Sequence, residues 1–345
     1  MTSSTQSNLN KLLQVQDLKV HFPLRSGLLG RVRGYVKAVD GISFNLYEGE
    51  TLGLVGESGC GKTTVGRSLL KLVQPTSGTV KFASRDFGEV DIVTAKKNVL
   101  SKLRQDMQIV FQDPFASLNP RMNIYNIVGD PLRVNGLASG SEKERRVGEM
   151  LQKVGLSPDL MPRYPHAFSG GQRQRIGIAR SLIMNPTMLI ADEPVSALDV
   201  SVQAQILNLM QDLQNELNLT ILFISHDLSV IQQVSHRVAV MYVGQLVELA
   251  SVDEIFSQPK HPYTQALLSS VPVPNPEVKS MGKALSGEVA DPANPPSGCY
   301  FHPRCPFAKE ICKTDDPPLK KISDGRFAKC HFTDEIQLEG VSASE

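Results

Sequence analysis

The sequence predicts an α/β protein built on a mostly parallel sheet covered on both faces. Short apolar runs, Thr51–Val55, Met188–Ala191 and Thr220–Ile224, alternate with longer stretches of helical periodicity. One of those runs opens onto a glycine-rich loop and then a helix. The 345 residues are 41% hydrophobic and 21% charged, the balance of a globular chain rather than a disordered one.

The elements follow in order. Leu13–Phe22 and Val36–Leu46 are rich in β-branched and apolar residues, flank the Gly- and Arg-containing segment Arg25–Gly34, and read as antiparallel strands. Thr51–Val55, its loop and Thr63–Leu72 read as strand, loop and helix. Residues 101 to 160 are mostly helical and polar, with Met107–Phe111 as a strand and Ser141–Val154 as the clearest helix. Gln172–Met184 is an amphipathic helix, and Met188–Ala191 is a buried strand running into two acids. Val202–Leu217 spaces Ile206, Leu209, Met210, Leu213 and Leu217 as one helical face, and Thr220–Ile224 is the last core strand in this reading. From about residue 258 prolines recur (Pro259, Pro262, Pro272, Pro274, Pro276, Pro292, Pro295, Pro296) and no long periodic helix is readable. The expected organisation is a main domain over 11–258, with a helical subdomain at about 113–185, and a loop-rich appendage over 259–335.

Charge and hydropathy exclude several functions. Lys plus Arg is 36 and Asp plus Glu is 35, so charge alone gives no hold on nucleic acid. No apolar run approaches the roughly 18 residues that cross a bilayer, and Met1–Asn10 lacks the features of a secretory signal. The chain is expected to stay in the cytosol and not to form a channel itself.

Gly56-Glu57-Ser58-Gly59-Cys60-Gly61-Lys62-Thr63-Thr64 contains G-x-x-x-x-G-K-[ST] between a strand and a helix, the context that pattern requires. Its glycines let backbone N–H groups turn toward an anion, and the helix start adds its dipole. Lys62 can reach the β- and γ-phosphates of a nucleotide and the Thr63 hydroxyl can ligate Mg²⁺. Downstream, Asp192 and Glu193 end an apolar strand. With a phosphate loop nearby they suit holding Mg²⁺ and orienting the attacking water, respectively. Cys60 reads as a small packing residue within the loop.

Between these motifs lies Phe168-Ser169-Gly170-Gly171-Gln172, opening a helix. With it the chain resembles the ATP-binding subunits of ABC transporters, a family of the P-loop NTPase fold with an antiparallel β-subdomain and a helical subdomain. The resemblance implies that Ser169, Gly170, Gly171 and Gln172 form a second anion cradle, facing ATP bound by another subunit. It implies that Gln112 senses Mg²⁺ and contacts the membrane partner, that Ser196-Ala197-Leu198-Asp199 links two subunits, and that His226, after the last core strand, touches the γ-phosphate and supports Glu193. Phe22 falls where the family stacks adenine, with Tyr35 as a rival.

Phe111-Gln112-Asp113-Pro114-Phe115-Ala116-Ser117-Leu118-Asn119-Pro120-Arg121, Glu193-Pro194-Val195-Ser196-Ala197-Leu198-Asp199-Val200-Ser201-Val202-Gln203 and His261-Pro262-Tyr263-Thr264 resemble the oligopeptide/dipeptide importer branch. That branch also takes nickel, glutathione and some oligosaccharides. It implies two permease subunits, an extracytoplasmic substrate-binding protein, a second related ATP-binding subunit, no nucleic acid, and a peripheral place on the cytoplasmic face of the inner membrane. A soluble ABC ATPase of ribosomes or DNA repair is the alternative; this chain lacks the second cassette or coiled-coil insertion such proteins carry.

Four of the five cysteines, Cys299, Cys305, Cys312 and Cys330, cluster in the appendage. Four thiolates suit Zn²⁺ or an iron–sulfur cluster, and the wide spacing favours the larger group. The appendage it resembles is associated with a [4Fe–4S] cluster, which is the expected cofactor beside ATP and Mg²⁺. Because the cysteines share no residue with the nucleotide motifs, changing Cys305 is expected to leave ATP binding largely intact.

Overall fold

The computed structural model describes residues 10–26, 31–269 and 287–341. Part of the Arg25–Gly34 connection, nearly all of Met1–Asn10, and Pro272, Pro274 and Pro276 lie outside the described residues.

In chain order, β1 (Lys11–Ser26) and β2 (Arg31–Tyr47) form a long antiparallel hairpin, followed by β3 (Thr51–Val55) and α1 (Lys62–Leu69). Then come β4 (Ser77–Ser84), β5 (Gly88–Asp91), α2 (Lys97–Asp106) and β6 (Met107–Val110). The helices α3 (Ile124–Val134), α4 (Gly140–Lys153) and α5 (Gly170–Leu182) follow. After them run β7 (Met188–Asp192), α6 (Val200–Leu217), β8 (Thr220–Ser225), α7 (Leu228–Val234), β9 (Arg237–Tyr242) and β10 (Gln245–Ser251). The C-terminal region adds α8 (Val252–Ser257), α9 (Pro262–Leu268), α10 (Glu310–Thr314), β11 (Lys320–Ser323) and β12 (Arg326–Ala328).

Two sheets organise the molecule. An antiparallel sheet runs β2-β1-β4-β5, and an eight-stranded sheet runs β11-β12-β10-β9-β3-β8-β7-β6. The last five strands of the larger sheet are parallel to one another; β10, β12 and β11 are antiparallel additions. Strand alternation divides the core in two. Leu52 and Leu54, Met188 and Ile190, and Leu222 and Ile224 face the antiparallel sheet and α1. Val55, Leu189 and Ala191, and Ile221 and Phe223 face the other way, into a core that α3, α4, α5 and α6 share through Val128, Leu132, Val147, Leu151, Ile178 and Ile206. Because both faces are covered, these parallel strands are buried at every position, which is why they read as unbroken apolar runs rather than alternating ones.

One expectation needs correction. Thr220–Ser225 is not the last core strand: β9 pairs with β3 on its other side, and β10 follows antiparallel. The C-terminal region, besides its loops, contributes to the main sheet. The hairpin β11–β12 extends the main sheet, with Glu248 opposite Ala328 and Leu249 opposite Phe327. Two-residue pairing is too short to announce itself in sequence, and it depends on a partner some 80 residues away in the chain.

Candidate nucleotide site

The phosphate loop leaves β3 at Gly56 and enters α1 at Lys62. Two of its glycines are forced by close approach. A Cβ on Gly56 would lie 2.1 Å from the Met241 carbonyl oxygen, and one on Gly61, at φ +107°, would lie 1.9 Å from the Ala38 carbonyl oxygen. The tight turn between β9 and β10 braces the loop from below, since the Gly244 N–H donates to the Cys60 carbonyl at 2.9 Å. Cys60 is buried, and burial pushes its thiol pKa up, so the packing role holds and the sulfur is not activated. Lys62 is also buried, and its Nζ donates to the carbonyls of Gly56 (2.7 Å) and Glu57 (3.1 Å) along the inside of the loop. Ser58, Gly59, Gly61, Lys62, Thr63 and Thr64 line one open pocket, together with Ala38, Gln112, Glu193 and His226.

The carboxylates sit across from the loop. The Thr63 hydroxyl donates to Asp192 Oδ1 at 2.8 Å, and burial raises the Asp192 pKa. Glu193 adopts left-handed backbone, φ +48°, with its N–H donating to the Ile224 carbonyl at 3.0 Å. A glutamate held in that region costs on the order of 1 kcal/mol and persists where the surroundings impose it. Its carboxylate takes a hydrogen bond from Gln112 Nε2 at 2.8 Å and lies 3.2 Å from His226 Nδ1. Three strand ends, β6, β7 and β8, thus deliver Gln112, Glu193 and His226 to one point. Ala38 was not foreseen in this wall; a small apolar residue mid-strand carries no sequence signal.

The remaining candidates stand elsewhere. Ser169 caps α5: its Oγ accepts from the Gln172 N–H at 3.3 Å, and Gln172 Oε1 accepts from the Ser169 N–H at 3.1 Å. Neither these residues nor Gly170, Gly171 and Asp199 are among the described lining of the pocket. Gly171 lies where a Cβ would strike Val202 of α6 at 2.5 Å. Phe22 and Tyr35 are both exposed, at 42% and 51%, and occupy neighbouring rungs of the β1–β2 ladder. Phe22 pairs with Val36 and Tyr35 with Pro23, so the two rings leave opposite faces of the hairpin.

Residues 39–196 match the ABC transporter family model, and residues 247–312 match that of the oligopeptide/dipeptide transporter C-terminal region. The chain is 53% identical over 330 residues to the oligopeptide transport ATP-binding protein AppF of Bacillus subtilis (strain 168), covering 95% of this chain and 99% of that one. The chain belongs to the ABC transporter ATP-binding proteins of the oligopeptide/dipeptide branch. A probable peptide ABC transporter ATP-binding protein, y4tS, of Sinorhizobium fredii (strain NBRC 101917 / NGR234) is 49% identical over 96% of this chain and 93% of its own. Among solved structures, cbiO1 from Clostridium perfringens superposes with a TM-score of 0.60 at 30% identity, over 72% of this chain and 91% of that one. A dimeric ATP-binding cassette with bound ADP and phosphate matches at 0.60 and 27%, over 70% and 98%. This ABC subunit is an ATPase that works with membrane permease partners and dimerises. Among the described residues, no helix is long and apolar enough to cross a membrane.

In this ABC protein all four clustered cysteines line one small apolar cavity with Phe301, Phe307 and Phe332. Burial, reinforced by the neighbouring thiols, pushes Cys299 up to about 11 and Cys305 to about 12, and raises Cys330. Against that, the Phe332 N–H donates to Cys330 Sγ at 3.4 Å. Among the described residues no group of three or more His, Cys, Asp or Glu is gathered closely enough to hold an ion. Around one Zn²⁺, with Zn–S near 2.3 Å, the sulfurs would stand only about 3.8 Å apart.

The cysteine segment touches the phosphate loop directly. Arg304, next to Cys305, forks onto Glu57 of the phosphate loop: Nη1 to Oε2 at 2.7 Å and Nη2 to Oε1 at 3.1 Å. The Tyr263 hydroxyl accepts from the Glu57 N–H at 2.9 Å. Glu57 occupies an unconstrained position of the loop pattern and so carries no signal in sequence.

Proposed function

We propose that this ATPase powers import of dipeptides and oligopeptides from the cytoplasmic face of the inner membrane, as a peripheral subunit. In this reading it docks on two permease subunits, pairs with a second, related ATP-binding subunit, and depends on an extracytoplasmic binding protein for its cargo. Domain bounds of 11–258, with the helical part at 113–185, and 259–335 accompany the proposal. Lys62 and the loop amides of Gly56–Thr64 bind the polyphosphate, Phe22 stacks adenine, and Thr63, Asp192 and Gln112 hold Mg²⁺, which supplies charge neutralisation. Glu193 orients the attacking water and accepts its proton, with His226 and Gln112 fixing the carboxylate. Ser169, Gly170, Gly171 and Gln172 present their helix start to the γ-phosphate on the other subunit, with Asp199 at the junction.

The observation that carries the reading is the Glu193 carboxylate, held by two side chains on a strained backbone opposite Lys62 and Thr63. The test is Glu193→Gln. An amide cannot take the proton, so hydrolysis should fall by at least about a hundredfold while ATP affinity stays near wild type. Phosphate release at the wild-type rate would overturn the assignment.

For the cysteines we infer the [4Fe–4S] cluster over Zn²⁺. Four thiols around one apolar cavity match its ligand set in kind and number. When bound, the cluster supplies cross-linking of a segment poor in core residues.

A further inference from the structure

We propose that the turn between Cys299 and Cys305 clamps both walls of the nucleotide pocket, with Arg304 and Tyr300 as positioning residues for nucleotide binding. Arg304 is only 5% exposed on its side chain, and its planar fork fixes the Glu57 carboxylate in two dimensions. The Glu57 peptide is pinned at the other end by Tyr263, and its carbonyl is one of the two that receive the Lys62 ammonium. A path of direct contacts therefore runs from Arg304 through the Glu57 peptide to the lysine that meets the phosphates.

The opposite wall is held by the same turn. The Tyr300 hydroxyl donates to Asp40 Oδ2 at 2.9 Å and accepts from Lys37 Nζ at 3.4 Å, while the Lys37 N–H donates to the Pro292 carbonyl at 2.9 Å. Between Lys37 and Asp40 lies Ala38, whose carbonyl packs against Gly61. One turn, bounded by two cysteines, thus fixes the spacing between the β1–β2 hairpin and the phosphate loop. Whatever anchors Cys299 and Cys305 fixes that turn, so nucleotide affinity responds to the state of the cysteine cavity. The proposal rests on ATP binding alone and is independent of the transported cargo and of the group the thiols hold.

The test is the dissociation constant for ADP on the full chain, read beside the melting temperature. Glu57→Gln and Arg304→Gln should each weaken ADP by about tenfold, and the double variant should be no weaker than the worse single one, because both break one link. Arg304→Lys keeps the charge but not the fork and should recover part of the loss. Tyr300→Phe should weaken ADP by about threefold from the other wall. Cys305→Ser should weaken ADP in the wild type and add nothing in the Arg304→Gln background. If losing the ion pair stops Arg304→Gln from folding, Glu57→Gln and Tyr300→Phe decide. Wild-type ADP affinity in those two variants, or a fall in melting temperature with affinity unchanged, would reduce the turn to structural glue and sink the proposal.

Discussion

Glu193 shows how a residue's chemistry is set by backbone it would not choose. Left-handed φ and the bond to Ile224 turn the side chain back toward Gln112 and His226 instead of along the strand. On the facing loop, Lys62→Ala removes the charge meant for the polyphosphate and should weaken ATP binding by at least about tenfold, measured by direct titration. A different pair of buried groups sets the pH response. His261 is buried and neutral, its pKa pushed down to about 3, with Nδ1 accepting from the Tyr263 N–H. Unfolded, it takes a proton below about 6.5, so its share of stability is complete above that pH and lost toward 3. Glu248 runs opposite: burial raises it to about 7, so its folded form keeps a proton the unfolded chain gives up near 4.5, and stability falls as pH rises between those values. His261→Asn can keep the cap through its side-chain oxygen, and should flatten the acid limb of a urea-denaturation series below pH 4.5, where Glu248 no longer opposes it.

At the level of elements, the phosphate loop survives only because its residues nearest β2 and β9 are glycines. Gly61→Ala should abolish nucleotide binding and lower the melting temperature by several degrees, since the new methyl meets backbone rather than a side chain that can move. The strands and helices that bury a continuous face were legible: Thr51–Val55 coincides with β3, and Val202–Leu217 falls within α6. So was the candidate set Gln112, Glu193 and His226, which the fold gathers in one pocket, because a motif sets both type and spacing. Long-range partners were not legible. Arg304 reaches Glu57 across 247 positions, and no local pattern marks either residue. The cysteine segment has its own check. Purified without oxygen, the chain should carry about four iron and four sulfide; stoichiometric zinc without sulfide would replace the cluster with a single ion.

For the whole molecule, Ser169 stands outside the pocket lining within one chain, so the proposed second cradle requires a dimer for the chemistry. Ser169→Arg should leave ATP affinity of the isolated chain near wild type and cut hydrolysis by the assembled transporter by at least about tenfold, because the bulky cation fills the second cradle without touching the first. Equal activity in the assembly would mean each chain hydrolyses alone. The pairing of β12 with β10 sets a further constraint, this one in time. Ribosomes deliver chains from the N-terminus, and β10 is an open edge, rich in apolar side chains, until residues 326–328 emerge. The clamp residue Arg304 also arrives after every motif of the nucleotide site. A nascent chain can therefore shape its phosphate loop early, yet it secures that loop only once Arg304 has emerged, and seals the sheet only once residues 326–328 have. Chains released before that point expose a ready template for strand addition, so a truncation between β10 and β12 should aggregate more readily than one placed after β12.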